Sequence, residues 1–293
     1  MRLYSYAKLN LYLKVIRKRK DNYHSLKTLF ERINLKDTIS LESRPDSRIS
    51  LYSDSKDIPT DQTNLAWRAA LLLQEKTGIK KGVAIRILKR IPVGAGLGGG
   101  SGNAAAVLLG LNKLWNLRLR RAELLNFASK LGSDVPFFIY QVPFAQGSGR
   151  GDRVEPVPSL EIVKFWHVLC LPRVHVATPQ IYSQWDKYKK NKKAALTIPR
   201  ANVTMLCYVL KKKRLSCVAK ALYNNLEPVT CALYPQVQDI KDTMVRFGAQ
   251  AVRMSGRGPT VFAMLSSRTE AVSLYKYLKE KNHSWRAYIV RTA

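Results

Sequence analysis

The sequence predicts an α+β fold divided into two domains, and three observations support this prediction. The chain has 293 residues, of which 46% are hydrophobic, and this is enough for two cores of ordinary size. Its first half contains segments with the two-residue alternation of β-strands, one of which runs into a glycine-rich loop and a helix. Its last third alternates helices and strands in an order that covers one face of a sheet with helices.

The first element is a strand with polar side chains next to each other on one face. One face carries Leu9, Leu11, Leu13 and Val15, and the other carries Lys8, Asn10, Tyr12 and Lys14. Further strands are predicted for DTISLES (residues 37–43), RISLYSD (48–54) and GVAIRILKRIP (82–92). The third of these leads directly into the glycine loop.

Three helices are predicted in the same half. TNLAWRAALLLQEKTG (63–78) begins at Thr63 or Asn64 and ends at Gly78, and GNAAAVLLGLNKLW (102–115) follows the glycine loop. RRAELLNFASKLGSD (120–134) ends near Gly132. The second unit begins near LEIVKFWHVLCLP (160–172) and ends in helix, strand, tight loop GRGP (256–259), strand, helix and strand. Within the second unit, KYKKNKKAALTIP (187–199) is predicted to be a mobile linker or exposed loop.

Composition excludes several classes of protein. No run of about 18 apolar residues occurs, and the start of the chain does not resemble a secretion signal, so we expect a cytoplasmic protein. The four cysteines, Cys170, Cys207, Cys217 and Cys231, have neither zinc-site nor disulfide spacing and are interpreted as ordinary thiols.

The net charge of +30 would attract nucleic acid, anionic membranes or polyphosphates. The most basic stretch, residues 187–226, contains no Asp or Glu, yet Tyr188 is the only aromatic residue inside a basic cluster. Because RNA sites normally interleave exposed aromatic residues, a solvated basic surface is the favoured interpretation. We therefore expect no membrane partner and no specific nucleic-acid partner, and a monomer or weak dimer.

The loop VGAGLGGGSGN has six glycines among the nine residues from Gly94 to Gly102. It satisfies G-x-G-x-x-G, but some eighty residues precede its strand and no second strand ending in an acid follows, so a Rossmann fingerprint is weakly supported. A P-loop is excluded because Gly100 and Ser101 stand where Lys and Ser/Thr belong. Two interpretations remain. The loop is either a turn that lets a helix pack closely or a strand-to-helix loop that binds an oligophosphate through its N–H groups, and the second is preferred.

The stretch PVGAGLGGGSGNAA (92–105) resembles the phosphate loop of the GHMP kinases, a superfamily of small-molecule kinases. YAKLNLYLKVIRKRKDNYHSLKTLF (6–30), LGSDVPFF (131–138) and MSGRGPTVFA (254–263) resemble the branch that phosphorylates 4-diphosphocytidyl-2-C-methylerythritol. The resemblance implies a two-domain GHMP kinase fold. Residues 1–158 would form a ribosomal-protein-like α/β domain with a glycine loop of the left-handed crossover type, and residues 159–293 a ferredoxin-like α+β domain, with the ligands in the cleft between them.

The resemblance also implies the reaction, which is ATP-dependent phosphorylation of the substrate's 2-hydroxyl in the non-mevalonate isoprenoid pathway. Phosphoryl transfer needs positioning, charge neutralisation and a group that accepts the hydroxyl proton. By similarity, Asp134 is the general base and Lys8 stabilises charge on the attacking oxygen and the γ-phosphoryl group. The predicted substrate-binding residues are Tyr23, His24 and Tyr182, which would contact the cytidine, and Asn10, which shares a strand face with Lys8.

ATP is expected on the glycine loop, and Mg²⁺ is expected with it because Lys8 alone cannot neutralise the γ-phosphate. The metal ligands are not identifiable, and Ser101 either binds the metal or caps the helix. The predicted ATP-binding residues are Asn64, Lys89, Pro92, Val93, Gly94, Ala95, Gly96, Leu97, Gly98, Gly99, Gly100, Ser101, Gly102 and Asn103.

Three residues depart from the motifs of the resembling branch, which has DGYH, GGGSSNAA and SGSGPTVF. Asn22 replaces a glycine, which is mild because Asn tolerates the left-handed region. Gly102 removes a hydroxyl and puts a contact to phosphate or metal in doubt. Arg257 places a cation in a turn where the family has a small residue; it either clamps a substrate phosphate or points to solvent.

Two other functions stay open at this level. One is a GHMP kinase for another alcohol, such as homoserine or mevalonate, against which Tyr23 and His24 argue. The other is a basic RNA-binding protein on a kinase-like fold, against which the retention of Lys8 and Asp134 argues.

Overall fold

The computed structural model of the chain describes residues 1–191 and 202–293, which form two β-sheets and the helices packed on them. The strands are β1 (Arg2–Lys18), β2 (His24–Arg44), β3 (Ile49–Ser53), β4 (Gly82–Leu88), β5 (Phe144–Ser148), β6 (Arg153–Pro156), β7 (Trp166–Leu171), β8 (Tyr223–Asn224), β9 (Ala251–Met254), β10 (Val261–Leu265) and β11 (Arg286–Arg291). The helices are α1 (Leu65–Thr77), α2 (Gly99–Leu114), α3 (Arg121–Leu131), α4 (Val135–Tyr140), α5 (Thr178–Asn191), α6 (Val203–Lys211), α7 (Leu215–Ala221), α8 (Glu227–Leu233), α9 (Pro235–Arg246) and α10 (Arg268–Lys281).

The predicted linker KYKKNKKAALTIP falls partly outside this description. Its first five residues, 187–191, are the end of α5 and not a loop, because Trp185 and the other apolar residues of that helix pack on the second sheet's core. The remaining residues, 192–199, lie outside the described residues. In the part of the chain that the structure describes, no helix has the length and apolar character needed to cross a membrane.

The first sheet has seven strands. Five of them have the order β3-β4-β2-β1-β8, while β5 pairs with β2 and β6 pairs with β5. The pairs β3–β4 and β1–β8 are parallel and the others are antiparallel. The second sheet is antiparallel, with the order β11-β7-β10-β9. Its four strands follow the β-α-β-β-α-β plan with the order 4-1-3-2 of a ferredoxin-like fold, which confirms the prediction for this unit.

The helices predicted in the first half form where their boundary residues indicated. The side chain of Asn64 accepts a hydrogen bond from the amide of Ala66 at the start of α1, and Gly78 ends the helix in the left-handed conformation. Helix α2 begins at Gly99, earlier than expected. Helix α4 was not predicted, because its six residues are almost all apolar and too few to display a helical period.

The predicted alternation along β1 is correct as far as Asn10 and wrong at Tyr12. The pairing of β1 with β2 shifts between these two residues, so Tyr12 turns inward and packs in the same apolar cluster as Leu9 and Leu11. This cluster also contains Leu169 from β7, and it joins the two sheets. Lys8 and Asn10 stay side by side on the opposite face, with 2.5 Å between the Lys8 Nζ and the Asn10 Oδ1.

The glycine loop packs against the loop that joins β9 to β10. The Thr260 hydroxyl donates a 2.7 Å hydrogen bond to the Ala95 carbonyl, and the Ser255 hydroxyl lies 3.4 Å from the Gly96 carbonyl. Gly96 has φ of +76°, and a Cβ on it would lie 2.8 Å from the Ser255 carbonyl oxygen and 2.9 Å from that of Gly258. Glycine is required at this position both by the backbone conformation and by the close contact between the loops.

We expect Gly96→Ala to lower the free energy of unfolding by about 1–3 kcal/mol, because the new methyl group meets backbone atoms that cannot move aside. Gly100→Ala is the matched control, since its Cβ would have only Leu65 within 4 Å, at 3.8 Å, and Ala favours a helix over Gly. Urea denaturation of the two variants and the wild type measures the difference. Equal stability of Gly96→Ala and wild type would contradict this account of the loop.

Candidate active site

A cavity of about 900 Å³ lies where the two sheets meet at the glycine loop. Its walls come from β1 and β2, from the glycine loop, from α5 and from the loop between β9 and β10. The structure brings nearly all the predicted site residues to this one cavity: Lys8, Asn10, Tyr23, His24, Asn64, Lys89, Asp134, Tyr182, the residues from Pro92 to Ser101, and Asn103. Gly102 is the exception.

The ammonium of Lys8 is buried at the floor of the cavity. Its Nζ lies 3.4 Å from the Asp134 Oδ2 and donates hydrogen bonds to the Asn10 Oδ1 and, at 3.1 Å, to the Gly96 carbonyl. Lys8 is 3% exposed, whereas the Asp134 side chain is 30% exposed. The carboxylate can therefore reach a ligand in the cavity while the ammonium stays fixed behind it.

Asp134 is positioned by the short connection between α3 and α4. It immediately precedes Val135 and Pro136, the first residues of α4, whose buried side chains hold this helix in the core of the first unit. The sequence interpretation placed Asp134 after a helix, and the structure places it between two helices. Its backbone is fixed from both sides.

The first turn of α2 opens on the cavity, where Gly99, Gly100 and Ser101 line the wall. The earliest helical hydrogen bond runs from the amide of Gly102 to the carbonyl of Gly98, so the three preceding amides have no partner within the helix. This turn contains no acidic residue. Free amides and the positive end of a sixteen-residue helix favour an anion here, and phosphate is such an anion.

Gly102 does not line the cavity, and this corrects its predicted place in the ATP-binding set. It is buried against β1, where an added Cβ would lie 2.7 Å from the Ser5 Oγ and 2.9 Å from the Tyr6 carbonyl. A hydroxyl at this position would point to β1 and not toward a phosphate. Asn103 is also buried, and its side-chain amide nitrogen donates a 2.8 Å hydrogen bond to the Ser5 Oγ.

Lys89 is held by Asp37, a residue that the sequence interpretation did not select. The Asp37 carboxylate is fully buried, lies 2.5 Å from the Lys89 Nζ, and accepts hydrogen bonds from the amides of Arg90 and Ile91 at 2.7 and 2.9 Å. Asp37 thus anchors the residues at which β4 turns into the glycine loop. In the sequence, it is indistinguishable from any polar residue at the solvent face of a strand.

Asn64 uses its side chain for local structure. Its Oδ1 accepts the hydrogen bond from Ala66 at 2.9 Å, and its Nδ2 donates to the Pro59 carbonyl at 2.7 Å. Asn64 therefore fixes the start of α1 at the rim of the cavity. Any contact it makes with a ligand comes in addition to this capping role.

At the other end of the cavity, an aromatic pair is tied to a carboxylate. The rings of His24 and Tyr182 are stacked with 4.8 Å between their centroids, and the His24 Nε2 lies 2.8 Å from the Asp186 Oδ1. Lys18 is 3.6 Å from the same carboxylate. Burial raises the pKa of Tyr182, so its hydroxyl stays protonated. Asp186 was not selected from the sequence, because its contact with His24 joins residues 162 positions apart.

Tyr23 is exposed, and its ring lies beneath a guanidinium. Arg150 sits 5.0 Å from the ring centroid and is held by Asp152, with 2.8 Å between its Nη2 and the Asp152 Oδ2. Burial acts to raise the pKa of Asp152, but its hydrogen bonds from Arg150 outweigh this and hold the pKa below its ordinary value. The preceding residue, Asn22, has φ of +62°, in agreement with the argument that Asn can replace glycine in this turn.

The oxygen donors at the cavity wall determine which metal ion could bind there. In the parts of the chain described here, no group of three or more His, Cys, Asp or Glu side chains is placed to hold one. Mg²⁺ commonly uses one or two carboxylates and completes its coordination with water and substrate phosphates. Asp134 and the Ser101 hydroxyl, both at the cavity wall, fit this kind of site.

The four cysteines are free, and burial raises the pKa of the Cys170 thiol to about 12.

Comparison with known proteins gives consistent matches along the chain. The family model described as the GHMP kinases N terminal domain matches residues 64–142, and the model for GHMP kinases C terminal matches residues 208–284. A 4-diphosphocytidyl-2-C-methyl-D-erythritol kinase from Geobacillus sp. (strain WCH70) is 41% identical over 273 residues, covering 93% of this chain and 91% of that protein.

Solved structures agree with these matches. A crystal structure of 4-(cytidine 5'-diphospho)-2C-methyl-D-erythritol kinase superposes with a TM-score of 0.82 at 31% identity, covering all of both chains. L. major mevalonate kinase in complex with R-mevalonate superposes with a TM-score of 0.78 at 15% identity, covering 100% of this chain and 95% of that chain. The second likeness concerns the fold alone.

We expect Asp37→Asn to destabilise the protein by about 3–5 kcal/mol, because it leaves the buried ammonium of Lys89 without its charged partner. Urea denaturation followed by circular dichroism measures the loss. The matched control is Asp46→Asn, which removes a carboxylate paired with Arg44 at the surface and should leave the midpoint nearly unchanged. Similar midpoints for the two variants would show that the Asp37 pair does not hold the loop.

Proposed function

We propose how this site works from the premise that the chain belongs to the 4-diphosphocytidyl-2-C-methyl-D-erythritol kinases, a family of the GHMP kinases. The chain is an ATP-dependent small-molecule kinase that phosphorylates the 2-hydroxyl of 4-diphosphocytidyl-2-C-methyl-D-erythritol in the non-mevalonate isoprenoid pathway. The observation that carries the mechanism is the Lys8–Asp134 pair at the floor of the cavity, beside the free amides of α2.

ATP binds with its phosphates on the first turn of α2 and on the glycine loop. The free amides of residues 99–101 donate to phosphate oxygens, and the positive end of the helix balances part of their charge. Asn64 and Lys89, which also line the cavity, are proposed to lie beside the nucleotide. A volume of about 900 Å³ is near the upper end of the range for ligand pockets, as expected for a site that binds a phosphate donor and an acceptor.

Asp134 acts as the general base. Its carboxylate accepts the proton of the 2-hydroxyl while that oxygen forms a bond to the γ-phosphorus of ATP and the bond to the β-phosphate oxygen breaks, releasing ADP. Lys8 lies 3.4 Å behind the carboxylate and stabilises the charge that develops on the attacking oxygen and the transferred group. Because Asn10 and Gly96 hold the Lys8 ammonium in place, this stabilisation needs no rearrangement during the reaction.

Mg²⁺ would be held by the phosphates of ATP together with the Ser101 hydroxyl, and when bound it would neutralise charge on the transferring phosphoryl group. The chain's own contribution is to position the phosphates through the amides of α2. Ser101 is the first hydroxyl after the three consecutive glycines and lies at the cavity wall.

The cytidine of the substrate binds at the aromatic end of the cavity. The ring of Tyr182, which is stacked with that of His24, and the exposed ring of Tyr23 supply the aromatic surfaces that contact the base. His24 borders the base, and Asp186 orients its imidazole through the 2.8 Å contact to the Nε2. The Nδ1 is then the ring nitrogen that is free to contact the base edge.

The division into residues 1–158 and 159–293 remains our proposal for the domains. The first sheet takes six strands from the first part, and all four strands of the second sheet come from the second part. The short strand β8 crosses this boundary and pairs with β1. We also retain the prediction of a cytoplasmic monomer or weak dimer.

The substrate class is tested by phosphate transfer from ATP to three alcohols. We expect the wild type to phosphorylate 4-diphosphocytidyl-2-C-methyl-D-erythritol and to leave homoserine and mevalonate unreacted at the same concentration. The same assay tests the base: Asp134→Asn should lower kcat at least about 100-fold, because the amide cannot accept the proton. Its affinity for ATP should persist, since the amides of α2 are unchanged.

Asp239→Asn is the matched control, because it makes the same chemical change on the exposed face of α9. It should keep full activity. Undiminished phosphorylation by Asp134→Asn would remove Asp134 from the mechanism, and turnover of homoserine or mevalonate alone would overturn the substrate assignment.

A second variant tests the base site. Tyr182→Leu should raise the KM for the cytidine substrate about tenfold and leave the KM for ATP unchanged, because a stack on an aromatic ring contributes roughly 1–3 kcal/mol. Tyr182→Phe keeps the ring and should retain the wild-type KM. If Tyr182→Leu raised the KM for ATP instead, the two ligands would have been assigned to the wrong ends of the cavity.

A further inference from the structure

Arg257 stands out among the cations of the cavity. Five described lysine and arginine side chains line it, and four of them have a carboxylate within 4 Å: Lys8 has Asp134, Lys18 has Asp186, Lys89 has Asp37 and Arg150 has Asp152. Arg257 has no such partner among the described residues. An arginine partly enclosed in a cavity without a carboxylate is suited to bind an anionic ligand.

The backbone that carries Arg257 is firmly held. Its carbonyl accepts a 3.1 Å hydrogen bond from the Thr230 hydroxyl, and the Asn224 side chain donates a 2.6 Å hydrogen bond to the neighbouring carbonyl of Gly256. The Arg257 Nη1 donates to the carbonyl of Val176, in the segment that precedes α5, and this contact fixes the direction of the side chain. A guanidinium has five N–H donors, so this contact leaves others for a ligand.

Arg257 lines the same cavity as Asp134 and Tyr182, the residues that the proposed function assigns to the two ends of the substrate. Burial lowers its pKa and the nearby carboxylate of Asp134 and phenol of Tyr182 act to raise it, but a guanidinium remains charged throughout the physiological range. Burial has the largest effect on the pKa of Tyr182 and raises it; the charge of Asp134 also raises this pKa, and that of Arg257 acts to lower it. All three side chains thus line one cavity, and the charge of Arg257 is influenced by the other two.

This arrangement matches the order of groups along the substrate. Asp134 receives the hydroxyl of the methylerythritol end, and Tyr182 receives the cytosine at the other end. The part of the molecule between them is the diphosphate. We propose, on the basis of the function proposed above, that Arg257 binds the diphosphate of the cytidine-linked substrate and so helps this chain to select a nucleoside diphosphate derivative over an uncharged alcohol.

The test compares the binding of cytidine and cytidine 5'-diphosphate, with the ATP side filled by a non-hydrolysable ATP analogue. Isothermal titration calorimetry is carried out on the wild type, Arg257→Ser and the control Arg268→Ser. The control removes one exposed positive charge from the first turn of α10, in the same unit, and Arg268 does not line the cavity. It therefore corrects for the change in net charge.

Arg257→Ser should bind cytidine 5'-diphosphate about tenfold more weakly than the wild type and bind cytidine equally well, because only the diphosphate loses a charge-assisted hydrogen bond. The KM for the full substrate should rise with kcat changed little. Arg257→Lys keeps the charge without the planar fork and should fall between the two.

Unchanged affinity of Arg257→Ser for cytidine 5'-diphosphate would overturn the proposal. A fall in kcat without a change in KM would also overturn it, since Arg257 would then act on the transferred phosphoryl group. Equal losses for cytidine and its diphosphate would indicate a damaged base site and would likewise count against it. If the wild type bound neither ligand, the proposed function itself would be wrong, and this outcome differs from each of the others.

Discussion

The buried ammonium of Lys8 is the constraint on which the arrangement of the site depends. A charge at 3% exposure is stable only if oxygen atoms surround it, and here they come from β1, from the glycine loop and from the start of α4. The amide of Lys8 also donates to the Leu97 carbonyl at 2.9 Å. One residue therefore fixes the distance between the strand, the loop and the carboxylate, and an error in any of these elements would leave a charge unsatisfied.

The same loop is held from its other side by the second unit. Ser255 and Thr260 bond to the carbonyls of Gly96 and Ala95, and the amide of Asn10 lies 3.2 Å from the Ser255 hydroxyl. The carbonyls of the loop thus face the protein, which leaves the amides at the start of α2 for the ligand. The glycine content has two causes: Gly96 permits contact between two loops, while the first turn of α2 presents bare amides to the cavity.

Most helices and strands and most residues of the site were predictable from the sequence, and the features that were missed have a common physical cause. Patterns of period two and 3.6, helix caps such as Asn64 and Gly78, and the glycine loop are local signals, and they led to the right elements. The bulge before Tyr12, the pairing of Lys89 with Asp37 and that of His24 with Asp186 depend on which distant residues meet. No local pattern records such contacts, so Asp37 and Asp186 read as ordinary polar residues.

The high net charge and the charges of the site act at different distances. Most of the lysine and arginine residues that the structure describes lie at the surface, where salt screens each charge beyond about 10 Å, so they attract polyanions without selecting among them. Inside the cavity, carboxylates within 4 Å balance four of the five described cations, which lowers the net attraction of each of these pairs for a phosphate. Selectivity for a ligand that carries a diphosphate then requires a cation without a carboxylate partner at the diphosphate site. Arg257 is that cation.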